Sequence, residues 1–243
     1  MSTRRAPASS ITASVLVGSW DRLFELCQAM MRTCDPGALR LQRSLRPAVF
    51  SGSRYARSHS RWLRHAGGEA QCAIEGALSA SLRPGMNVLD VACGTGDMAR
   101  RLVSGTDGNI ELVLLDASRT MLETCADIQA TRVLGCMTNL PFAENSFDLL
   151  TCTWGIETIS ETQSALSEFV RVTRSGGYIF LVYCADRPTR SLFGMAMRHH
   201  IALTGRGQFL SQEALCEQAA AANVKRTQPL YCNGPAAAVI LHI

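Results

Sequence analysis

Two acids flank a loop that is almost free of side chains. Asp90 leads into Val91-Ala92-Cys93-Gly94-Thr95-Gly96, and Asp97 follows. Glycine at 94 and 96 lets the backbone approach a ligand closely and adopt conformations closed to other residues. The loop's amides would then face that ligand, with the Thr95 hydroxyl as an added group. Asp116 comes about twenty residues after the loop, the spacing at which a strand-end carboxylate accepts the hydroxyl protons of a ribose in a two-toothed contact.

The charges narrow the ligand. G-x-x-x-x-G-K-[ST] is absent, and the chain's single lysine, Lys225, is remote in sequence. Ala99 stands where a dinucleotide fingerprint has its third glycine; alanine is tolerated there, so it excludes little. Asp90 and Asp97 are the stronger objection, because two carboxylates beside a pyrophosphate are costly. The loop suits a neutral or cationic group instead. Further along, Glu157 follows an apolar run and is a candidate proton acceptor. His199 and His200 are second candidates, although adjacent histidines cannot both face one site from a helix or strand.

No metal centre is expected. None of the ten cysteines forms a C-x-x-C pair or sits at zinc-ligand spacing with the five histidines. Several, such as Cys152 and Cys184, lie in apolar runs as small hydrophobes. Reduced thiols in a cytosol-like compartment are expected.

These residues need a frame, and the apolar pattern supplies one. Runs at 87–93, 111–117, 132–137, 147–154 and 178–185 read as strands buried on both faces, separated by helical stretches at 97–103, 119–129 and 161–174. Ser175-Gly176-Gly177 is expected to turn the chain into the fifth strand. A helix over 211–222 leads to strands at 224–231 and 236–243, whose four-residue link is too short for a crossover helix, so they must pair antiparallel. The expected fold is α/β: a Rossmann-like, open, mostly parallel seven-stranded sheet with helices on both faces and a C-terminal antiparallel hairpin. Ligands of such a sheet bind at the carboxyl ends of its strands.

Ahead of this domain, residues 1–85 read as an Arg-rich, mainly helical segment or cap, with helices at 20–33 and 69–82 and no placeable boundary over 38–66. Residues 1–70 hold 11 arginines against four acids. Such a face suits a phosphate, an anionic membrane surface, an acidic substrate or simply water. The first twenty residues contain arginine and serine but no acid, a composition shared by organelle transit segments and frayed termini. No apolar stretch approaches the ~18 residues of a membrane span, so a soluble, cytoplasmic protein is expected, with organelle targeting the alternative.

VLDVACGTGDMARRLV, LVLLDASRTML, NLPFAENSFDLLTCTWG and LSEFVRVTRSGGYIFLVY, in that order, resemble class I S-adenosylmethionine-dependent methyltransferases. They are most similar to the ubiquinone/menaquinone-biosynthesis C-methyltransferase subgroup, over roughly residues 86–185. The resemblance implies that S-adenosylmethionine, positively charged and free of phosphate, is the cofactor. Asp90 and Gly94-Thr95-Gly96 would receive its amino acid end and Asp116-Ala117 its ribose. Cys136 and Met137 would flank the adenine, with Thr153 and Trp154 near the methionine portion.

The sequence departs from the family at two places. Relatives often carry Asp or Asn where Cys136 stands, and an Arg-Asn pair where WGIETIS has Glu157 and Thr158. Residues 186–210, with Arg187, Arg190, Arg198, His199, His200 and Arg206, correspond to a substrate lid. The implied activity is in-line methyl transfer to a small-molecule acceptor, C- or O-methylation favoured. The alternatives are an S-adenosylmethionine-binding assembly or regulatory protein without catalysis, and a nucleic-acid methyltransferase. The last lacks an N/D-P-P-Y/F motif after strand four.

Overall fold

The structure, a computed structural model, describes residues 52–187, 195 and 208–243. The sequence-predicted helix at 20–33, and Arg190, Arg198, His199, His200 and Arg206 of the lid segment, lie outside the described residues. Seven strands form one sheet in the order β3-β2-β1-β4-β5-β7-β6: β1 (Asn87–Val91), β2 (Glu111–Asp116), β3 (Thr131–Leu134), β4 (Phe147–Thr153), β5 (Thr173–Cys184), β6 (Arg226–Asn233) and β7 (Ala236–His242). β1 to β5 pair in parallel; β7 runs antiparallel to both β5 and β6. This is the expected mostly parallel sheet with its terminal hairpin.

The central strands are continuous apolar runs because both faces are covered. On one face, α5 (Thr162–Val172) and α6 (Gln212–Ala221) bury Leu166, Phe169 and Leu215 against Leu89, Leu150 and Leu181. On the other, α2 (Gly68–Ser81) and α3 (Asp97–Ser104) set Ile74, Leu78 and Leu102 against Val88, Leu114 and Phe180. The short α4 (Arg119–Glu123) is capped by Ser118, whose hydroxyl accepts the Met121 N–H. Ahead of α2, α1 (Gly52–Trp62) passes into a π turn at Leu63–Gly67.

Two elements differ from the sequence pattern. The helix expected over 119–129 stops at Glu123. Past that point the Thr124 hydroxyl (2.7 Å) and the Cys125 thiol (3.5 Å) both donate to the Met121 carbonyl, competing with the backbone N–H that would extend the helix. The expected turn at Ser175-Gly176-Gly177 instead lies inside β5, which begins at Thr173. Gly176 takes φ +84°, and the β4–β5 register shifts between Phe147 and Leu149. The glycines thus make an irregularity in a strand that continues through it.

Candidate functional site

The site residues gather at the carboxyl ends of β1, β2 and β4. The loop after β1 turns on three consecutive left-handed conformations among alternate residues: Ala92 (φ +54°), Gly94 (+54°) and Gly96 (+80°). Gly96 is also fixed by space. A Cβ there would lie 2.5 Å from Ile128 Cδ1 and 2.9 Å from Cys125 Sγ. The loop therefore sits directly on the segment that follows α4.

Asp116 ties these parts together. One carboxylate oxygen accepts the Gly94 N–H at 2.9 Å and the other accepts the Ser118 N–H at 2.8 Å. Burial pushes its pKa up, opposed by the hydrogen bonds from Ser118, Gly94 and Ala117. Each oxygen keeps a further lone pair for a ligand hydroxyl.

Asp90 is nearly closed to solvent. Its Oδ1 accepts from the Thr151 hydroxyl of β4 at 2.7 Å, whereas Oδ2 is buried without a partner. Burial lifts the carboxyl to about 7, opposed by the Thr151 bond, with Cys125, Asp116 and Asp97 pushing the same way as burial. Two sequence-distant residues, Thr151 and Asp90, thus share one buried polar contact that alternation patterns do not reveal.

Thr95 donates from Oγ1 to Asp97 Oδ2 at 3.2 Å, so both stay on the exposed side of the loop. After β3, Cys136 and Met137 are buried, and Cys136 Sγ shares a 3.0 Å hydrogen bond with Thr138 Oγ1. This stretch is held from behind by α5. Arg171 donates to the Leu140 and Phe142 carbonyls, and Glu168 accepts the Leu140 N–H at 2.6 Å.

Thr153 ends β4, and Trp154 follows in a left-handed conformation (φ +59°). Its indole N–H donates to Gln71 Oε1 of α2 at 2.8 Å. The ring meets Trp62 edge-on with centroids 5.7 Å apart, and His59 at 6.3 Å. Trp154 thereby fastens α1 and α2 over the strand ends. His59 was not evident from the sequence; it is screened from solvent, which lowers its pKa, while Asp97 raises it.

Glu157 lies in a 3-10 turn, Ile156–Thr158, and is buried. Desolvation raises it to about 7, against hydrogen bonds from its own backbone and from Cys184 at the end of β5. Its Oε2 has no partner. A carboxyl near neutrality with an open acceptor atom can take a proton. Among the described residues, no group of three or more His, Cys, Asp or Glu can hold a metal, and no helix is long and apolar enough to cross a membrane.

The residues present fit a cofactor with a cationic end and a ribose. Asp90 offers an unused buried oxygen, Asp116 has spare acceptor capacity on both oxygens, and the glycine loop leaves the approach open. For the adenine end the fit is weaker in polarity, since the Cys136 thiol is a poor acceptor.

Comparison with known proteins agrees with this geometry. Residues 89–181 match the family described as methyltransferase domain. The chain is 37% identical over 118 residues to a demethylmenaquinone methyltransferase of Mycobacterium bovis, covering 49% of each chain. It is 41% identical over 98 residues to that of Renibacterium salmoninarum, covering 39% of each. The chain thus spans about half the length of the curated relatives it matches. A Thermotoga maritima SAM-dependent methyltransferase, described as a possible histamine N-methyltransferase, superposes with a TM-score of 0.58 at 19% identity. That match covers 79% of this chain and 98% of that one, and it shows the fold alone. Ordered motifs, sheet topology and relatives converge on a methyltransferase domain over residues 89–181 that is similar to part of the demethylmenaquinone methyltransferases.

Proposed function

We propose that the protein transfers a methyl group to a small-molecule carbon or oxygen nucleophile, with Glu157 as the proton acceptor. The observation that supports this reading is that, of three buried carboxylate oxygens without a partner among the described residues (Asp90 Oδ2, Glu157 Oε2 and Glu161 Oε2), the first two belong to the most deeply buried acids at the carboxyl end of the sheet. The first suits a ligand's ammonium and the second a proton leaving the acceptor.

When bound, S-adenosylmethionine supplies an electrophilic methyl on a sulfonium sulfur. The chain's own part is positioning, worth on the order of 7–11 kcal/mol when reacting atoms are well aligned. Asp116 holds the ribose hydroxyls and, through Gly94, the loop beside them. Asp90 takes the amine. Ala117 adjoins the ribose, Cys136 and Met137 border the base, and Thr153 borders the methionine portion. Trp154, with Trp62, closes the top against water. Glu157 at about 7 is partly ionised at neutral pH and accepts the acceptor's proton as the bond to carbon forms.

Only the part of the acceptor remote from its reacting atom is assigned to a cleft of about 510 Å³ between the π turn, the start of α2 and the β6–β7 hairpin, whose lining does not include Glu157. Arg64, His65, Glu69, Tyr231 and Pro235 line it, and Tyr231 donates to Glu69 Oε2 at 2.6 Å. Pro235 adjoins Ala236, which pairs with Cys184, the residue in contact with Glu157. The relatives are named for demethylmenaquinone, so hydroxylated aromatic compounds are the first acceptors to assay.

The test has two stages. Calorimetry with S-adenosylhomocysteine measures binding, and labelled S-adenosylmethionine measures transfer to an acceptor panel. Glu157→Gln is expected to lower kcat roughly 10²- to 10⁴-fold with cofactor affinity retained, and to remove the rise in rate through about pH 7. Binding without transfer to any acceptor overturns the catalytic reading and favours a non-catalytic cofactor-binding protein.

A further inference from the structure

We propose that Gln208 is a positioning residue for Glu157: its backbone N–H and its side-chain amide clamp the turn that carries the base and keep that carboxyl aimed into the site. The catalytic consequence, though not the clamp, rests on the function proposed above.

The turn has little to fix it from within. Ile156–Thr158 is only three residues long, too short to hold its shape as a helix. One end is tied back to Gly155, whose carbonyl accepts the Thr158 N–H at 2.9 Å and the Thr158 hydroxyl at 2.6 Å. Toward the sheet the turn has no room to sink. A Cβ on Gly155 would lie 2.5 Å from Ala92 Cβ and 3.0 Å from Cys152 Sγ. The Glu157 side chain offers no anchor through Oε2, which is buried without a partner. The remaining freedom is outward.

Gln208 closes that side. It stands forty-nine positions beyond Ile159 and reaches the turn twice. Its N–H donates to the Glu157 carbonyl at 2.9 Å, and its Nε2 donates to the Ile159 carbonyl at 2.5 Å. The two acceptors bracket Thr158. Gln208 is anchored in turn by the sheet. Two residues on, the Leu210 N–H donates to the Cys184 carbonyl at 2.9 Å, and the Leu210 carbonyl accepts the Asp186 N–H at 2.8 Å. Ala185 and Leu210 form a parallel bridge, so residues 208–210 run alongside the end of β5. Holding a long, half-buried side chain in one rotamer costs entropy that a single neutral hydrogen bond scarcely repays. Orientation of the turn accounts for the amide better than stability does.

The clamp governs how much water Glu157 meets. The titratable groups facing its carboxyl are thiols, Cys184 of β5 and Cys152 of β4. Glu161, the next acid along the chain, accepts from the Ser160 hydroxyl at 2.6 Å. Burial is therefore the main influence on Glu157. Without the amide, the Ile159 carbonyl must turn to water and the turn opens. Glu157 then ionises at lower pH and points less accurately at the acceptor, which makes it a weaker and misplaced base.

Gln208→Met keeps the apolar stem but cannot donate, and Gln208→Ala is a second variant in case the first fails to fold. Full-length protein labelled with carbon-13 at the glutamate carboxyls is titrated by NMR, and the Glu157 signal is the one missing from Glu157→Gln. Its midpoint is expected at about 7 in the parent and at least about one unit lower in either Gln208 variant. Calorimetry is expected to show S-adenosylhomocysteine affinity retained. With labelled S-adenosylmethionine and a panel of hydroxylated aromatic acceptors, kcat is expected to fall roughly 10- to 100-fold while the acceptor KM holds. The rise of rate with pH moves down with the midpoint. An unchanged midpoint in both variants overturns the positioning role. So does a loss of cofactor affinity in step with kcat, which marks a general structural residue. A lowered midpoint with kcat unchanged overturns the catalytic consequence alone. If Glu157→Gln is as active as the parent, or the parent methylates nothing, the function proposed above fails instead, and the titration still judges the clamp.

Discussion

Replacing Asp90 with Asn separates the stability of the cofactor-free protein from its ability to bind. Asp90 is 1% exposed and its carboxyl lies at about 7 instead of 3.8. The native state keeps a proton that the unfolded chain gives up near pH 3.8. The stabilisation linked to that proton is complete below 3.8 and is lost as pH rises through about 7. Integrated over the window, Asp90 alone removes on the order of 2–3 kcal/mol between about pH 5 and pH 8. Asn cannot ionise, and its amide oxygen still accepts the Thr151 hydroxyl, so this slope disappears. Urea unfolding at the two pH values is the assay, with Glu157 titrating alike in both proteins and cancelling. The parent is expected to lose on the order of 2–3 kcal/mol more than Asp90→Asn across the window, or roughly 5–10 °C in Tm. Affinity for S-adenosylhomocysteine is expected to fall roughly 10- to 150-fold, the value of one charge-assisted hydrogen bond. Equal pH slopes would refute a buried carboxyl held near neutrality. Unchanged affinity would refute its contact with the ligand's amine.

Asp116→Ala removes the proposed acceptor of two ribose hydroxyls and orphans the Gly94 and Ser118 N–H groups; calorimetry is expected to show affinity reduced roughly 10²- to 10⁴-fold. Gly96→Ala combines a left-handed backbone with two contacts under 3.0 Å, and denaturant unfolding is expected to show a loss of about 2–4 kcal/mol. Trp154→Phe keeps the aromatic packing but strips Gln71 Oε1 of its donor, so urea unfolding is expected to register about 1–3 kcal/mol.

What the chain discloses before folding depends on how local the cause is. The strands read clearly because a sheet covered on both faces demands continuous apolar runs, and the link between β6 and β7 admits only a hairpin. The helix after β2 was overestimated because Thr124 and Cys125 look like ordinary helix residues; their side chains end it by bonding Met121. α1 stayed hidden for a different reason. Its inward residues His59 and Trp62 are followed at once by a π turn that ends at Gly67, which breaks the 3.6-residue spacing that an amphipathic helix displays. At the site, residue identity was legible for Asp90, Asp116 and Glu157, but their electrostatic state was not. Asp90 is lifted by burial against Thr151, sixty-one positions away, and Glu157 by burial beside Cys184.

That electrostatic state bears on what the pocket is built for. Buried side-chain polar atoms are overwhelmingly paired in folded proteins, because each unpaired one costs about 1–3 kcal/mol and more if charged. Here Asp90 Oδ2 and Glu157 Oε2 are both unpaired at the same end of one sheet, on strands β1 and the turn after β4. Replacing either by an apolar residue of like shape would relieve the cost, so stability gives no account of them. A ligand does. An ammonium beside Asp90 returns its pKa toward the ordinary range, and the ionised carboxylate then repays binding. Glu157 must behave differently: kept near neutrality with Cys184 as its side-chain partner, it stays able to gain or lose a proton during turnover. Cofactor binding is therefore expected to release a proton from Asp90 below about pH 7, which calorimetry in buffers of different ionisation enthalpy detects. If Asp90→Asn releases as many protons as the parent, the carboxylate that meets the ligand's positive charge is a different one.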